Sequence, residues 1–373
     1  MENGKNSMPL DSPLLDLHRS AGAEVGEYFG TLLPSRFSDF KTEYDAALGA
    51  VALADTNSRA IFSLSGPDAQ RYVNALLTSN VRDLKPGRGA IGLLLTPQGH
   101  ILAEVETLLL PDRILAISHA MVRERTSATL EKFIIMDDVT LEDVTASTGT
   151  IELVGPRAAA LISELCGVNI GDLPPFAHAE VTLSSIPCRV VHHEFGGNHS
   201  AMVIGSLGQL PLLWRKLEAF VRSAGGSAIG MDSLNSIRLE YGTPWFGHDY
   251  DDKNIPHEAG LEHSHISYEK GCYTGQEIVE RVRSRGHANR RLTELEFFGS
   301  ESPAVGTKLR VPENAAGTEV GFVTSAAPSP MLGRPIGLGF VRREYSAVGT
   351  RLDAEGASAE VISAPRLASN SQP

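Results

Sequence analysis

The sequence predicts an α+β protein of several domains that ends in an all-β domain. Three observations point to this class. Helical and strand periodicities alternate through the first part of the chain. A strand–Gly-Pro–helix unit occurs twice, at Gly66-Pro67 and again at Gly155-Pro156. From about Leu292 onward, short apolar runs are separated by Gly and Pro. With 373 residues and 42% hydrophobic content, the chain is long enough for two or three domains with their own cores.

In order along the chain, residues 1–20 read as a flexible tail. Arg59–Leu64 reads as a strand. A helix follows Ser65-Gly66-Pro67, because Ala69, Tyr72, Val73, Leu76 and Leu77 share one face. Ile101–Leu110 and Arg113–Ser118 flank Pro111-Asp112, a hairpin signal. A helix is expected over about Val122–Phe133. Ile151–Val154 then leads through Gly155-Pro156 into an apolar helix, Arg157–Cys166. The two Gly-Pro steps fit either a weak internal duplication or a common way to start a helix. Glu180–Val203 reads as sheet. A helix carrying Leu213, Leu217, Phe220 and Val221 should stop at Gly225-Gly226. Asp232 can cap the next helix, which carries Ile237 and Arg238. Leu295–Phe298, Lys308–Val311, Val320–Thr324 and Ile336–Val341 read as a small antiparallel barrel or sandwich.

Charge and cysteine usage narrow the function. The balance is 45 acids to 33 bases, a net −12, which argues against nonspecific nucleic-acid binding and against anionic membranes. Three scattered cysteines, Cys166, Cys188 and Cys272, suit a reducing cytosol rather than a disulfide framework. No run approaches the ~18 apolar residues of a membrane helix, and Met1–Pro13 lacks the apolar core of a signal peptide. A cytoplasmic monomer is expected.

The stretch Lys270-Gly271-Cys272-Tyr273-Thr274-Gly275-Gln276-Glu277 carries most of the chemistry. Thr274 and Glu277 have capping-box spacing ahead of a helix at about Gly275–Arg285. Cys272 then lies just before the helix N-terminus. The helix dipole and Lys270 would both favour its thiolate, and Gly271 leaves room for a ligand. A lone cysteine can equally be a small hydrophobe in a turn, the role that suits Cys166 and Cys188. Arg281, Arg283, Arg285, Arg290 and Arg291 form a basic strip, which is either a solvated face or a contact for an anionic cofactor tail, an RNA or a protein. His248, Asp249, Asp251, Asp252, His257, Glu258, Glu262, His263 and His265 cluster without a tight metal-ligand spacing, so no metal is assigned to them.

The run K-G-C-Y-T-G-Q-E resembles the signature of the folate-binding YgfZ family. The wider chain resembles the superfamily of the glycine-cleavage T protein, an aminomethyltransferase. That likeness rests on Ser65–Ala69, Leu76–Thr78, Leu84–Gly87, Leu93–Thr96, Arg238–Glu240, Gly247, Asp249, Pro256, Glu258–Leu261 and Val320–Val341. It implies a three-domain cloverleaf around tetrahydrofolate, with antiparallel sheets, helices and a C-terminal β-barrel. Residues 21–147 with 232–290 would form the folate-binding domain, 148–231 a second α+β domain and 291–364 the barrel, with 365–373 a tail. It also implies folate contacts from Arg238, Glu240, Trp245, Phe246, Glu258 and Tyr273, with Cys272 reactive beside Lys270. Arg238 offers a fork of donors for pterin or carboxylate oxygens, and Trp245 and Phe246 offer aromatic faces.

Two stretches depart from the transferases. Their acidic pair after Gly-Gly-Ile-Leu is here Gly99-His100-Ile101-Leu102-Ala103-Glu104, with one acid gone and the other a longer glutamate. The strand that supplies a folate-binding Glu reads Phe195-Gly196-Gly197-Asn198-His199-Ser200-Ala201. Losing charges that organise a developing cation should cripple one-carbon transfer. The resemblance therefore implies first a folate-binding factor for assembly or repair of iron–sulfur enzymes, with iron–sulfur proteins as clients, including those that modify tRNA. A folate-dependent aminomethyltransferase using Glu104, or a folate-binding scaffold, are the alternatives.

Overall fold

A computed structural model describes residues 8–312 and 317–365. The chain forms two compact units. One draws on residues up to Asn74, on Val81–Ile91 and on Val105–Leu234; the other on Ala75–Asn80, Gly92–Glu104 and residues from Asn235 onward. Of the residues 21–147 that the resemblance groups with 232–290, the second unit holds the short pieces 75–80 and 92–104 beside 235–290. No helix among the described residues is long and apolar enough to cross a membrane.

In the first unit, structure begins earlier than the sequence suggested. Leu10–Asp11 pairs with Thr31–Arg36, and Leu15–Ser20 is a helix. Leu14 and Leu15 are buried. His18, also buried, meets Asp55 at 2.9 Å. The tail expected over 1–20 is therefore folded from Leu10, because its leucines have a core to enter; residues 1–7 lie outside the described residues, as do 366–373 of the expected C-terminal tail.

A six-stranded sheet follows the order His178–Leu183, Ile186–Phe195, Asn198–Ser206, Thr148–Val154, Ala52–Asp55, Ser227–Ala228. One face is covered by the helices Ala158–Cys166 and Leu210–Ser223, whose Leu161, Ile162, Leu213, Trp214 and Leu217 pack on Leu153, Val190 and Val203. The other face presents Val191, Met202 and Ile204 to Ile61, Leu108 and Ile117. The two-residue period of a strand explains how one sheet serves both cores. A five-stranded sheet takes the order Arg88–Leu95, Ile101–Leu109, Arg113–His119, Arg59–Ser65, Thr140–Asp143. The hairpin expected at Pro111-Asp112 pairs Leu109 with Ile114. The two Gly-Pro steps share a geometry. Gly66 has φ +108 and Gly155 φ +110, and at each a Cβ would strike a carbonyl oxygen, of Asp138 and Ala47 respectively.

The helix Met231–Glu240 is capped differently from expectation. Asp232 lies inside its first turn and accepts from Tyr28 Oη at 3.1 Å, with Arg36 3.2 Å away. The cap comes instead from Glu43, a buried residue of the helix Phe40–Gly49. Its Oε2 accepts from Gly230 N at 2.8 Å and Ser233 Oγ at 3.2 Å.

In the second unit, the Gly/Pro-punctuated runs close into a six-stranded barrel, ordered Arg290–Phe298, Arg334–Arg342, Glu319–Ser329, Lys308–Arg310, Arg351–Ala354, Ala357–Ile362. Leu295, Phe297, Leu309, Val323, Val341 and Val361 fill it. Closure removes the exposed edges that an open sandwich would leave.

Candidate functional site

The sequence-selected residues fall in the second unit, mostly in the irregular stretch between the helices Met231–Glu240 and Gln276–Arg285. Arg238 occupies the last turn of the first of these helices and is 1% exposed. Its Nε donates to Asn235 Oδ1 at 2.9 Å, and its Nη1 donates to Thr243 O at 2.9 Å and to the Asp249 carboxylate. The guanidinium lies 4.4 Å from the Trp245 ring centroid. Its Nη2 is buried with no hydrogen-bond partner among the described residues. A buried unpaired donor costs on the order of 1–3 kcal/mol, so Nη2 is a natural donor for an incoming oxygen. Asp249 is itself pinned by Trp245 N at 2.9 Å and Thr324 Oγ1 at 2.7 Å.

The next residue reaches a different partner. Tyr250 Oη donates to Glu104 Oε2, and His265 Nε2 lies 3.2 Å from the same oxygen. On the other side of the ring, His265 Nδ1 sits 2.8 Å from Ser264 Oγ. A neutral ring with its proton on Nε2 satisfies both contacts. Glu104 is thus a partly buried carboxylate held by a phenol and an imidazole. This arrangement can hold or pass a proton. Sequence reasoning noted Glu104, and His265 only as one of nine clustered candidates; it missed Tyr250 and the convergence of the three, because the irregular stretch holding Tyr250 and His265 has no periodicity to read.

The cysteine motif packs against the turn that precedes Glu104. The helix starts at Gln276 with Gly275 as N-cap at φ +83 and no side-chain cap bond. The Thr274/Glu277 box expected there does not form, because the left-handed glycine takes the cap position and leaves Thr274 outside it. A Cβ at Gly275 would meet Thr96 O at 2.6 Å, and one at Gly99 would meet Ile278 at 2.9 Å. Cys272 is exposed, and a Cβ at Gly271 would meet nothing within 4 Å. Lys270 is buried, its Nζ donating to Leu77 O at 2.5 Å and Ser79 O at 2.7 Å. Its charge is therefore committed to anchoring the loop. Tyr273 is buried; burial raises its pKa, and its Oη has no hydrogen-bond partner among the described residues.

The remaining candidates are tied into the frame. Glu240 accepts from Ser329 Oγ at 2.5 Å and Met331 N at 3.3 Å. Glu258 accepts from Asn254 Nδ2 at 3.0 Å and from Arg290 at 3.1 and 3.2 Å. Phe246 is 1% exposed and packs edge-on against Tyr250, so its ring presents no open face; Trp245 is half-buried. The basic strip is divided between elements. Arg281 and Arg283 are exposed on the helix, the latter 4.0 Å over the Tyr268 ring, and Arg290 pairs with Glu258 on the barrel's first strand. The side chain of Arg285 lies outside the described residues.

Comparison with known proteins agrees with this architecture. Residues 14–267 match the model of the GCVT N-terminal domain, and residues 290–366 that of the glycine cleavage T-protein C-terminal barrel domain. The chain is 28% identical to an aminomethyltransferase of Moorella thermoacetica over 92% of both proteins. It is 27% identical to one of Rubrobacter xylanophilus over 89% of this chain and 87% of that protein. The crystal structure of glycine cleavage system aminomethyltransferase T from Bartonella henselae superposes with a TM-score of 0.84 at 21% identity, covering 96% of this chain and 98% of that one, and so shares the fold. With both domain models matched in order across nearly the whole chain, this protein belongs to the glycine-cleavage T-protein family.

Proposed function

We propose that the protein binds tetrahydrofolate and transfers an aminomethyl-derived one-carbon unit to it. One observation carries this reading. Asp249 and Tyr250 are consecutive, and they hold Arg238 and Glu104 respectively. A donor with an unfilled hydrogen-bonding position is thereby fixed within one peptide unit of the residue that organises a carboxylate. The relatives named aminomethyltransferase support the same reading.

Bound tetrahydrofolate would supply the nitrogen that accepts the one-carbon unit. Arg238 Nη2 would donate to a carbonyl or carboxylate oxygen of the folate, a contact its buried, unpaired state favours. Glu104 would face positive charge developing at the reacting amine, and Tyr250 and His265 would hold its carboxylate in place. The charge lost at Ala103 is then offset by a carboxylate already oriented by two neighbours. Methylene-tetrahydrofolate should form from an aminomethylated donor with the wild type, with ammonia released and the donor atom left protonated. It should fall about 100-fold or more with Glu104→Gln, in line with loss of one acid–base or electrostatic group. Arg238→Ala should instead weaken folate binding by titration calorimetry. Folate binding without turnover in the wild type would leave a scaffold.

The exposed thiol of Cys272 favours a second reading, support of iron–sulfur enzymes as in the YgfZ family. Cells lacking the protein, supplied with wild type or Cys272→Ala, test it. Equal recovery of iron–sulfur enzyme activity by the two would end it.

A further inference from the structure

The first unit holds a group of ligating side chains that the folate reading does not use. His192, Glu194 and His199 project from the hairpin formed by Ile186–Phe195 and Asn198–Ser206. His192 pairs across the ladder with Ala201, and Glu194 pairs with His199. Positions 192, 194, 199 and 201 therefore share one face of the sheet. Further in, that face is apolar, with Val190, Ala201 and Val203 in the helix-covered core. The three polar residues begin where that cover ends, beside a tight turn at Gly196-Gly197, with φ of 57° and 67°. Two left-handed residues suit a two-residue hairpin and fix the register that brings the side chains together.

We propose that His192, Glu194 and His199 bind a zinc-class divalent cation. His192 Nε2 and His199 Nδ1 are 2.9 Å apart. One ligand atom from each of the three residues lies within 4.8 Å of the other two. Two imidazole nitrogens in contact can hold only one proton between them, and a cation in its place would use both lone pairs. At zinc–nitrogen bonds of about 2.0–2.1 Å, tetrahedral ligation needs a nitrogen separation of about 3.3 Å, a small opening of the present contact. Glu194 is exposed and can swing in by a rotamer change. A two-nitrogen, one-carboxylate set suits zinc, cobalt or nickel rather than magnesium or calcium, which prefer oxygen. His192 is 1% exposed whereas Glu194 and His199 are exposed. The cation would thus be anchored from below and open to water or an external ligand above. The neighbouring His193 points to the opposite face, where it meets Glu106 at 3.1 Å and Glu152 at 3.3 Å.

The test is zinc titration of the full chain, stripped with chelator, against a chromophoric competitor. Cys272→Ser is the background, which removes binding at the exposed thiol. One equivalent of zinc should bind. His199→Ala and Glu194→Gln, both at exposed positions, should each weaken binding about tenfold or more, and zinc should raise the melting temperature of the parent but not of His199→Ala. Absence of stoichiometric binding in the parent, or affinity unchanged in both variants, overturns the proposal.

Discussion

Single residues in this chain show how burial sets charge. His178 is 5% exposed, and its Nδ1 lies 2.9 Å from Arg189 Nη1. Burial, and then the Arg189 guanidinium, pull its pKa from 6.5 down to about 4. The folded state therefore resists a proton that the unfolded chain accepts. Stability from this site is full above about pH 6.5 and is lost as pH falls toward 4. Urea denaturation across that window should show the wild type weakening with acid, and His178→Gln should show a smaller slope. His193 has the opposite balance. Burial opposes its charge, but Glu152 and Glu106 outweigh it and raise its pKa to about 10. Neither environment was legible from the sequence, since the strand carries His192 and His193 side by side and only the register assigns their partners. Arg238 was legible as a residue of interest, but Asp249 was read as one acid in a cluster of nine candidates and as part of the family likeness, never as the partner of the guanidinium.

At the scale of elements, periodicity worked and N-terminal caps did not. The helix Gln276–Arg285 lies where Ile278 and Val282 placed it, and the helix Leu210–Ser223 ends at the glycines expected to stop it. Both depend on local pattern. The start of Met231–Glu240 depends on Glu43, 187 residues earlier than Gly230, and no local signal carries that. Glu43 also accepts from Phe37 N at 2.5 Å and Ser38 N at 2.8 Å. Glu43→Ala would leave three backbone donors and one hydroxyl without an acceptor. A loss of about 3–5 kcal/mol is expected, against ~1 kcal/mol for an ordinary N-cap. Equilibrium denaturation checks it, and a loss near the ordinary value would mean that water replaces the carboxylate. The barrel was legible as β structure from its Gly and Pro punctuation. Periodicity left barrel and sandwich open and the resemblance implied the barrel; its closure rests on the pairing of Arg290–Phe298 with Ala357–Ile362 at the far end of the segment.

At the scale of the whole molecule, the second unit is assembled from three separate stretches of chain. Lys270 requires the carbonyls of Leu77 and Ser79, and His265 supplies a carbonyl to Thr78 Oγ1 at 2.6 Å. A fragment containing only residues 235–373 lacks those partners and also lacks Glu104. Its hydrogen exchange should show fast amides through 261–275 while the barrel strands stay protected. Uniform protection would show that the short stretches are dispensable. The sequence indicated the family and the barrel because those features recur along the chain; which distant stretches share a unit is set by contacts that leave no periodic trace.

Those bonds also set a timetable. The acceptors of Lys270 precede it by 193 and 191 residues. At a synthesis rate of about 5–20 residues per second, they leave the ribosome on the order of ten seconds or more before the ammonium that will bind them. During translation the strand bearing Glu104 must wait, half-housed, for a loop not yet made. Chaperone demand should therefore concentrate in that interval and ease once the cysteine loop emerges.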